Sequence, residues 1–97
     1  MVRGRPRQPI PPLPPGVDAF LDALVAERAA ARNTCDAYRH DLLDAAAFLD
    51  KQRGCPLDQA TAADLRLYLT RMATTCAVRT QARRLSALRQ YFRFLIS

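Results

Sequence analysis

Beyond Asp64 the sequence contains no acid, yet it carries Arg66, Arg71, Arg79, Arg83, Arg84, Arg89 and Arg93. A guanidinium is a planar fork of N–H donors, suited to bidentate contact with phosphate oxygens or with the acceptor edge of guanine. Set on a helix at about 100° per residue, residues 78–96 place Arg79, Arg83, Ser86, Gln90 and Arg93 on one narrow stripe. Arg79 and Arg83 lie one turn apart on that stripe and lead the candidates for contact with double-stranded DNA. Thr80 and Arg84 flank it, better placed for phosphate than for base edges. Arg89 lies nearer the apolar arc, where its stem can cover the core. A helix that merely solvated its charge would interleave acids at four-residue spacing, and residues 65–97 have none.

A second group with chemical potential lies at Asn33, Thr34 and Arg39. With Asn33 or Thr34 as N-cap, a helix starting there offers unpaired backbone N–H groups and the positive end of its dipole. Both side chains are then available to phosphate or base, and Arg39 projects from the same region. Asp36 also faces outward, where a carboxylate opposes phosphate unless it accepts from a cytosine amino group. His40 reads as a solvated surface side chain.

The remaining reactive side chains point to no chemistry. Tyr38 and Tyr68 fall on apolar faces and Tyr91 at the edge of one, with no His-x-x-Arg nearby to serve a nucleophile. Cys35, Cys55 and Cys76 are an odd number, without a C-x-x-C pair and with a single histidine in the chain. They read as small, partly buried thiols in a reducing compartment. No catalytic residue, metal site, cofactor or small-molecule substrate is therefore expected.

Four helices are expected to position these groups. Residues 1–16 hold six of the seven prolines, Arg3, Arg5 and Arg7, and no acid, so they read as a disordered basic arm. The run Pro11-Pro12-Leu13-Pro14-Pro15 in it can adopt polyproline II and reads as a linker. Residues 17–64 reverse the charge, with nine acids against five bases, although the whole chain of 97 residues carries +6. Phe20, Leu21, Leu24 and Val25 recur at helical spacing over about Val17 to Ala30. Tyr38, Leu42, Ala45, Ala46 and Leu49 define a second helix, from about Thr34 to Arg53, stopped by Gly54. Cys55-Pro56-Leu57-Asp58 is a connection, and Thr61 with Asp64 resembles a capping box that opens the third helix. Leu65, Tyr68, Leu69 and Met72 are its inner face. The fourth begins near Val78 or Arg79, with Val78, Ala82, Leu85, Leu88, Phe92, Leu95 and Ile96 in its apolar arc and Phe94 facing outward. No segment alternates at period two, so the fold class is all-α, a four-helix bundle of two hairpins over residues 17–97. With no apolar run of roughly 18 residues and no signal core, the protein is expected to be cytoplasmic and away from membranes.

At this level of detail the chain resembles the N-terminal part of tyrosine recombinases, the phage-integrase and Xer-like family. The resemblance rests on Asn33-Thr34 with Tyr38-Arg39-His40-Asp41-Leu42, on Ala60-Thr61-Ala62-Ala63-Asp64-Leu65 with Tyr68-Leu69, and on Arg79-Thr80 with Ala82-Arg83-Arg84-Leu85-Ser86-Ala87-Leu88-Arg89 and Phe92-Arg93-Phe94-Leu95. It implies a SAM-like core-binding domain, one half of a clamp around DNA, whose fourth helix lies against the major groove. Strand exchange is then the work of a separate C-terminal catalytic domain, with that domain and other recombinase protomers as partners. Two other readings compete: a helical protein–protein interaction module using an exposed Phe94, and a helix-turn-helix regulator acting on a palindromic site. The turn before the fourth helix lacks the glycine common in the latter.

Overall fold

The computed structural model describes residues 14–96. Among them lie four α-helices and no strand: α1 (Val17–Arg28), α2 (Arg32–Arg53), α3 (Ala62–Thr75) and α4 (Val78–Ile96), with a 3-10 turn at Leu57–Gln59 before α3. Of the expected arm, residues 1–13 lie outside the described residues. The all-α class is as the sequence predicts, with α2 as the hub that packs against each of the other helices.

The core forms where the four apolar faces meet. α1 contributes Val17, Phe20, Leu21 and Leu24; α2 contributes Leu42, Ala45 and Leu49; α3 contributes Tyr68 and Met72; α4 contributes Ala87, Leu88 and Tyr91. Leu57, expected only to connect two helices, is fully buried, because the 3-10 turn tips it beneath α2. Burial of such a side chain contributes about 2 kcal/mol. Val25 has the reverse fate and lies exposed on α1.

Helix ends follow local chemistry. Gly54 ends α2 in the left-handed region and returns its N–H to Asp50, as expected. α1 stops earlier than expected, at Ala29, whose positive φ turns the chain and sends its N–H back to Val25. The capping box on α3 is complete: Asp64 N–H donates to Thr61 Oγ1 at 3.1 Å, and Thr61 N–H donates to Asp64 Oδ2 at 2.9 Å. Arg53 Nε, at the end of α2, also donates to Asp64, at 2.9 Å, so one carboxylate ties two helices together. The Thr61 backbone N–H and then Arg53 hold the Asp64 carboxyl down to about 2.

Two sequence expectations for α4 need correction. Its buried face carries Ala87, Leu88 and Tyr91, whereas Val78 and Ile96, placed in the apolar arc, are 80% and 86% exposed. Relative to the arc read from hydrophobicity, α4 is rolled by roughly a quarter turn about its axis. Phe94 does not face outward; it packs on the core with its ring 5.8 Å from that of Phe20. The roll has two causes. Carboxylates on α2 draw arginines of α4 toward them, and Tyr91 is pulled under the chain entering α1.

That entry is a tight turn. Pro14 is buried, its carbonyl accepts from Val17 N–H at 3.2 Å, and the Pro15 carbonyl accepts from Tyr91 Oη at 2.7 Å. Burial pushes the Tyr91 hydroxyl up to about 12, so it stays a donor. Gly16 caps α1 at φ 80°, with Leu95 only 2.9 Å from where a Cβ would sit.

Gly16→Ala is thus expected to destabilise by about 1–2 kcal/mol from the left-handed backbone, with further loss from the Leu95 contact. Gly54→Ala, with no atom within 4 Å of its Cβ, carries only the backbone term, and paired thermal melts would read the difference. Asp64 titrates lower when folded than its ordinary 3.8, so its contribution is present above about pH 4 and lost as pH falls toward 2. Over that window the melting temperature of Asp64→Asn should fall less than that of the unmutated chain.

Candidate nucleic-acid interface

The arginines of α4 do not project equally into solvent. Arg83 closes a bidentate pair on Asp41 of α2, with Nε donating to Oδ2 at 2.8 Å and Nη2 to Oδ1 at 2.7 Å. The Asp41 side chain is 1% exposed and that of Arg83 43%, so the pair has a buried anion and a half-exposed cation. These hydrogen bonds raise the Arg83 pKa beyond its ordinary value.

Arg84, predicted to flank the stripe, is turned inward and its side chain is 13% exposed. Its Nη1 donates to Asp44 Oδ2 at 2.7 Å and to Tyr68 Oη at 3.2 Å, while Tyr68 Oη donates to Asp44 at 2.7 Å. Its Nε lies 3.4 Å from Asp41 Oδ1, buried and without a hydrogen bond. Asp41 therefore has two cations, one reaching it from the surface and one from inside. Burial, and then Asp44, push the Tyr68 hydroxyl well above its ordinary range.

Ser86 is also engaged. It shares a hydrogen bond with Tyr38 Oη at 3.3 Å and accepts from Gln90 Nε2 at 2.9 Å, and the same Nε2 donates to Tyr38 Oη at 3.1 Å. Gln90 Oε1 in turn accepts from Arg28 Nη1 at 2.9 Å. The stripe read from the sequence is real as a surface. Its middle is fastened to α2 and α1, leaving Arg79 and Arg93, at its two ends, exposed with no ion pair or hydrogen bond from their side chains among the described residues. Thr80 is half-buried beside Arg79.

Asn33 and Thr34 do not cap α2. The helix starts two residues earlier than Thr34, on Ala31, whose side chain cannot accept, and no acid occupies the first turn. Asn33 and Thr34 sit in that first turn, exposed, so the backbone N–H groups there lack a side-chain cap. α4 likewise begins after an alanine, Ala77, and has no acid in its first turn. α3 contrasts with both, since Thr61 and Asp64 close its N-terminus. Arg39 is held by Asp18 of α1 at 3.2 Å, with both side chains largely exposed. A pair of that kind is worth about 0–1 kcal/mol and exchanges readily for phosphate.

Contacts between α2 and α4 run in opposite directions, with Tyr38 against Ser86 and Gln90, and Asp44 against Arg84. Asn33 and Thr34 therefore lie toward the end of α4, and Arg79 and Thr80 toward its start. At 1.5 Å per residue the two groups are on the order of 20 Å apart. Along α4, Arg83 lies between the two levels. Asp41 is the residue whose role the sequence reading missed. A carboxylate three residues from Tyr38 and four from Ala45, within an apolar stripe, must be paired, and the acid-free stretch at Arg83-Arg84 supplies the partners.

The model of the phage integrase N-terminal SAM-like domain matches residues 17–97. The chain is 51% identical over 80 residues to the tyrosine recombinase XerD of Rhizobium meliloti (strain 1021), covering 81% of this chain and 25% of that protein. It is 48% identical over 82 residues to XerD of Agrobacterium fabrum, covering 84% and 24%. Against the tyrosine recombinase XerC of Listeria monocytogenes it is 42% identical over 78 residues, covering 79% and 26%. The chain thus spans about a quarter of the length of these curated relatives. No solved structure matches it.

The geometry separates two arginines that the sequence treats alike. Arg84→Ala leaves Asp44 and the inner side of Asp41 without their cation and should cost about 3 kcal/mol, the order seen when one partner of a buried pair is removed. In a domain of this size that is a fall of roughly 10–20 °C in melting temperature. Arg79→Ala should melt within about 4 °C of the unmutated chain, as surface substitutions do.

Proposed function

The chain belongs to the family of phage integrase N-terminal SAM-like domains, and from that premise we propose that it binds double-stranded DNA as the core-binding part of a site-specific tyrosine recombinase. In this reading it closes one side of a clamp on the recombination site. Strand cleavage and exchange fall to a separate catalytic domain, and other protomers assemble on the same DNA. Such a task belongs in the cytoplasm, and among the described residues no helix is long and apolar enough to cross a membrane.

The observation that carries the reading is the α4 face from Arg79 to Arg83, continued to the open start of α2. Arg79 is exposed without a carboxylate partner, and the Arg83 side chain is nearly half exposed. Thr80, Asn33 and Thr34 add short polar groups beside uncapped helix starts, where backbone N–H groups and the dipole favour phosphate. Arg39 exchanges a weak surface pair for a phosphate at little cost. A separation on the order of 20 Å between the two groups is just over half a turn of B-DNA, so one face can meet the duplex at two places. Arg84 and Ser86 act in this reading from beneath, by holding α2 and α4 in register, rather than by touching DNA.

A second reading has its own observation. Val78 and Ile96 are large apolar side chains standing in solvent at the two ends of α4, which suits a protein surface. In the recombinase reading they meet the catalytic domain or a neighbouring protomer.

Fluorescence anisotropy of a labelled duplex titrated with the chain, repeated across salt concentrations, tests the proposal. Three phosphate contacts give a logarithmic slope of about −3, and Arg79→Ala should reduce its magnitude by about 1. Affinity that ignores salt would instead assign α4 to protein contact.

A further inference from the structure

Arg83 and Asp41 meet by one edge of the guanidinium only. Nε and one N–H of Nη2 are spent on the carboxylate. Of the five N–H donors of an arginine, the two on Nη1 and the second on Nη2 remain, and one from each nitrogen forms the end edge of the fork. That end belongs to a side chain that is 43% exposed, whereas the carboxylate behind it is 1% exposed and held in α2. Asp41 also keeps a second cation, Arg84, whose buried Nε stands 3.4 Å from Oδ1 without a hydrogen bond. The carboxylate is thus fixed from below, and the arginine above it is fixed by the carboxylate.

We propose that Asp41 is a positioning residue: it locks the guanidinium of Arg83 by its side edge so that the end edge points out from α4 as a rigid two-donor fork for a pair of acceptors on double-stranded DNA. This rests on the DNA-binding reading above and adds to it which arginine carries geometry rather than charge alone. Arg79, exposed and without a partner, supplies charge. Arg83, held at both hydrogen bonds, has already lost the rotamer freedom that an exposed arginine gives up on binding. Two acceptor sets match a fork of this shape, the oxygens of one phosphate and the O6 and N7 atoms of guanine.

The test is a double-mutant cycle on the 97-residue chain with Asp41→Asn, Arg83→Ala and the pair, read by duplex affinity, salt slope and thermal melting. Asp41→Asn should weaken binding on the order of three- to tenfold, the range set by freezing one long side chain. In the Arg83→Ala background the same change should have no further effect on affinity. A purely structural role would lower the melting temperature and weaken binding equally in both backgrounds, which overturns the proposal, as does tighter binding by Asp41→Asn. If Asp41→Asn does not fold, Arg83→Lys carries the test, because Arg84 still neutralises Asp41. It retains the charge and the salt slope but lacks a fork, and unchanged affinity would refute the idea. The two acceptor sources separate in the same assay. Loss of about 0.9 from the slope in Arg83→Ala assigns the fork to phosphate. An unchanged slope, with the unmutated chain losing affinity when 7-deazaguanine replaces guanine, assigns it to the base. Absence of salt-dependent binding by the unmutated chain removes the DNA reading itself, whereas binding with additive mutants removes only the role of Asp41.

Discussion

One buried carboxylate, Asp41, sets the arrangement of α2 against α4. Asp41 lies on the inner side of α2, where an uncompensated charge would cost several kcal/mol, so the fold must bring cations to it. The chain offers them on α4 as the adjacent pair Arg83 and Arg84, and adjacent residues on a helix point about 100° apart. Only one rotation of α4 lets one of them reach Asp41 from outside and the other from inside. That rotation buries Ala87, Leu88 and Tyr91, exposes Val78 and Ile96, and brings Phe94 onto Phe20. Hydrophobicity alone would choose a different face. The ionic requirement is steeper per residue than the burial of one valine and one isoleucine at the ends of a helix, and it prevails.

Much of the fold was legible because its signals are local. Gly54 as the stop of α2, the Thr61–Asp64 box and the start of α4 near Val78 each depend on a few neighbouring residues, and each stands where the spacing places it. What stayed hidden depends on partners distant in sequence. Leu57 looks like a loop residue until α2 covers it. Ala29 carries no sign that it will adopt a positive φ. The start of α2 is hidden as well: Asn33 and Thr34 are good caps, yet a cap helps only where the chain turns, and it turns at Ala31.

The candidate site divides along the same line. That positive charge gathers in the last third of the chain is visible from composition, and so is the alignment of Arg79 with Arg83. Which arginines are spent inside the protein is not visible, because their acids sit about forty residues away on another helix. The absence of acids in α3 beyond Asp64 and in α4 reads, in sequence, as charge left over for a partner. Part of that charge is answered by Asp41 and Asp44, and Arg53 is answered by Asp64. The remainder is larger: Arg66, Arg71, Arg79, Arg89 and Arg93 are exposed and carry no ion pair among the described residues, and Arg83 keeps an outer edge.

The bond from Tyr91 to the Pro15 carbonyl spans 76 residues of sequence. During synthesis on a ribosome, the turn that launches α1 therefore has no anchor until nearly all of α4 has been made. α1 and α2 can associate earlier through the faces on which they pack, but the Pro14–Gly16 turn must wait. Because α4 also supplies Arg83 and Arg84, the buried Asp41 stays uncompensated for the same interval. Completion of the last helix thus closes the entry turn and neutralises the interior in one event, and a nascent chain halted before Arg83 would expose an unfinished core to chaperones and proteases.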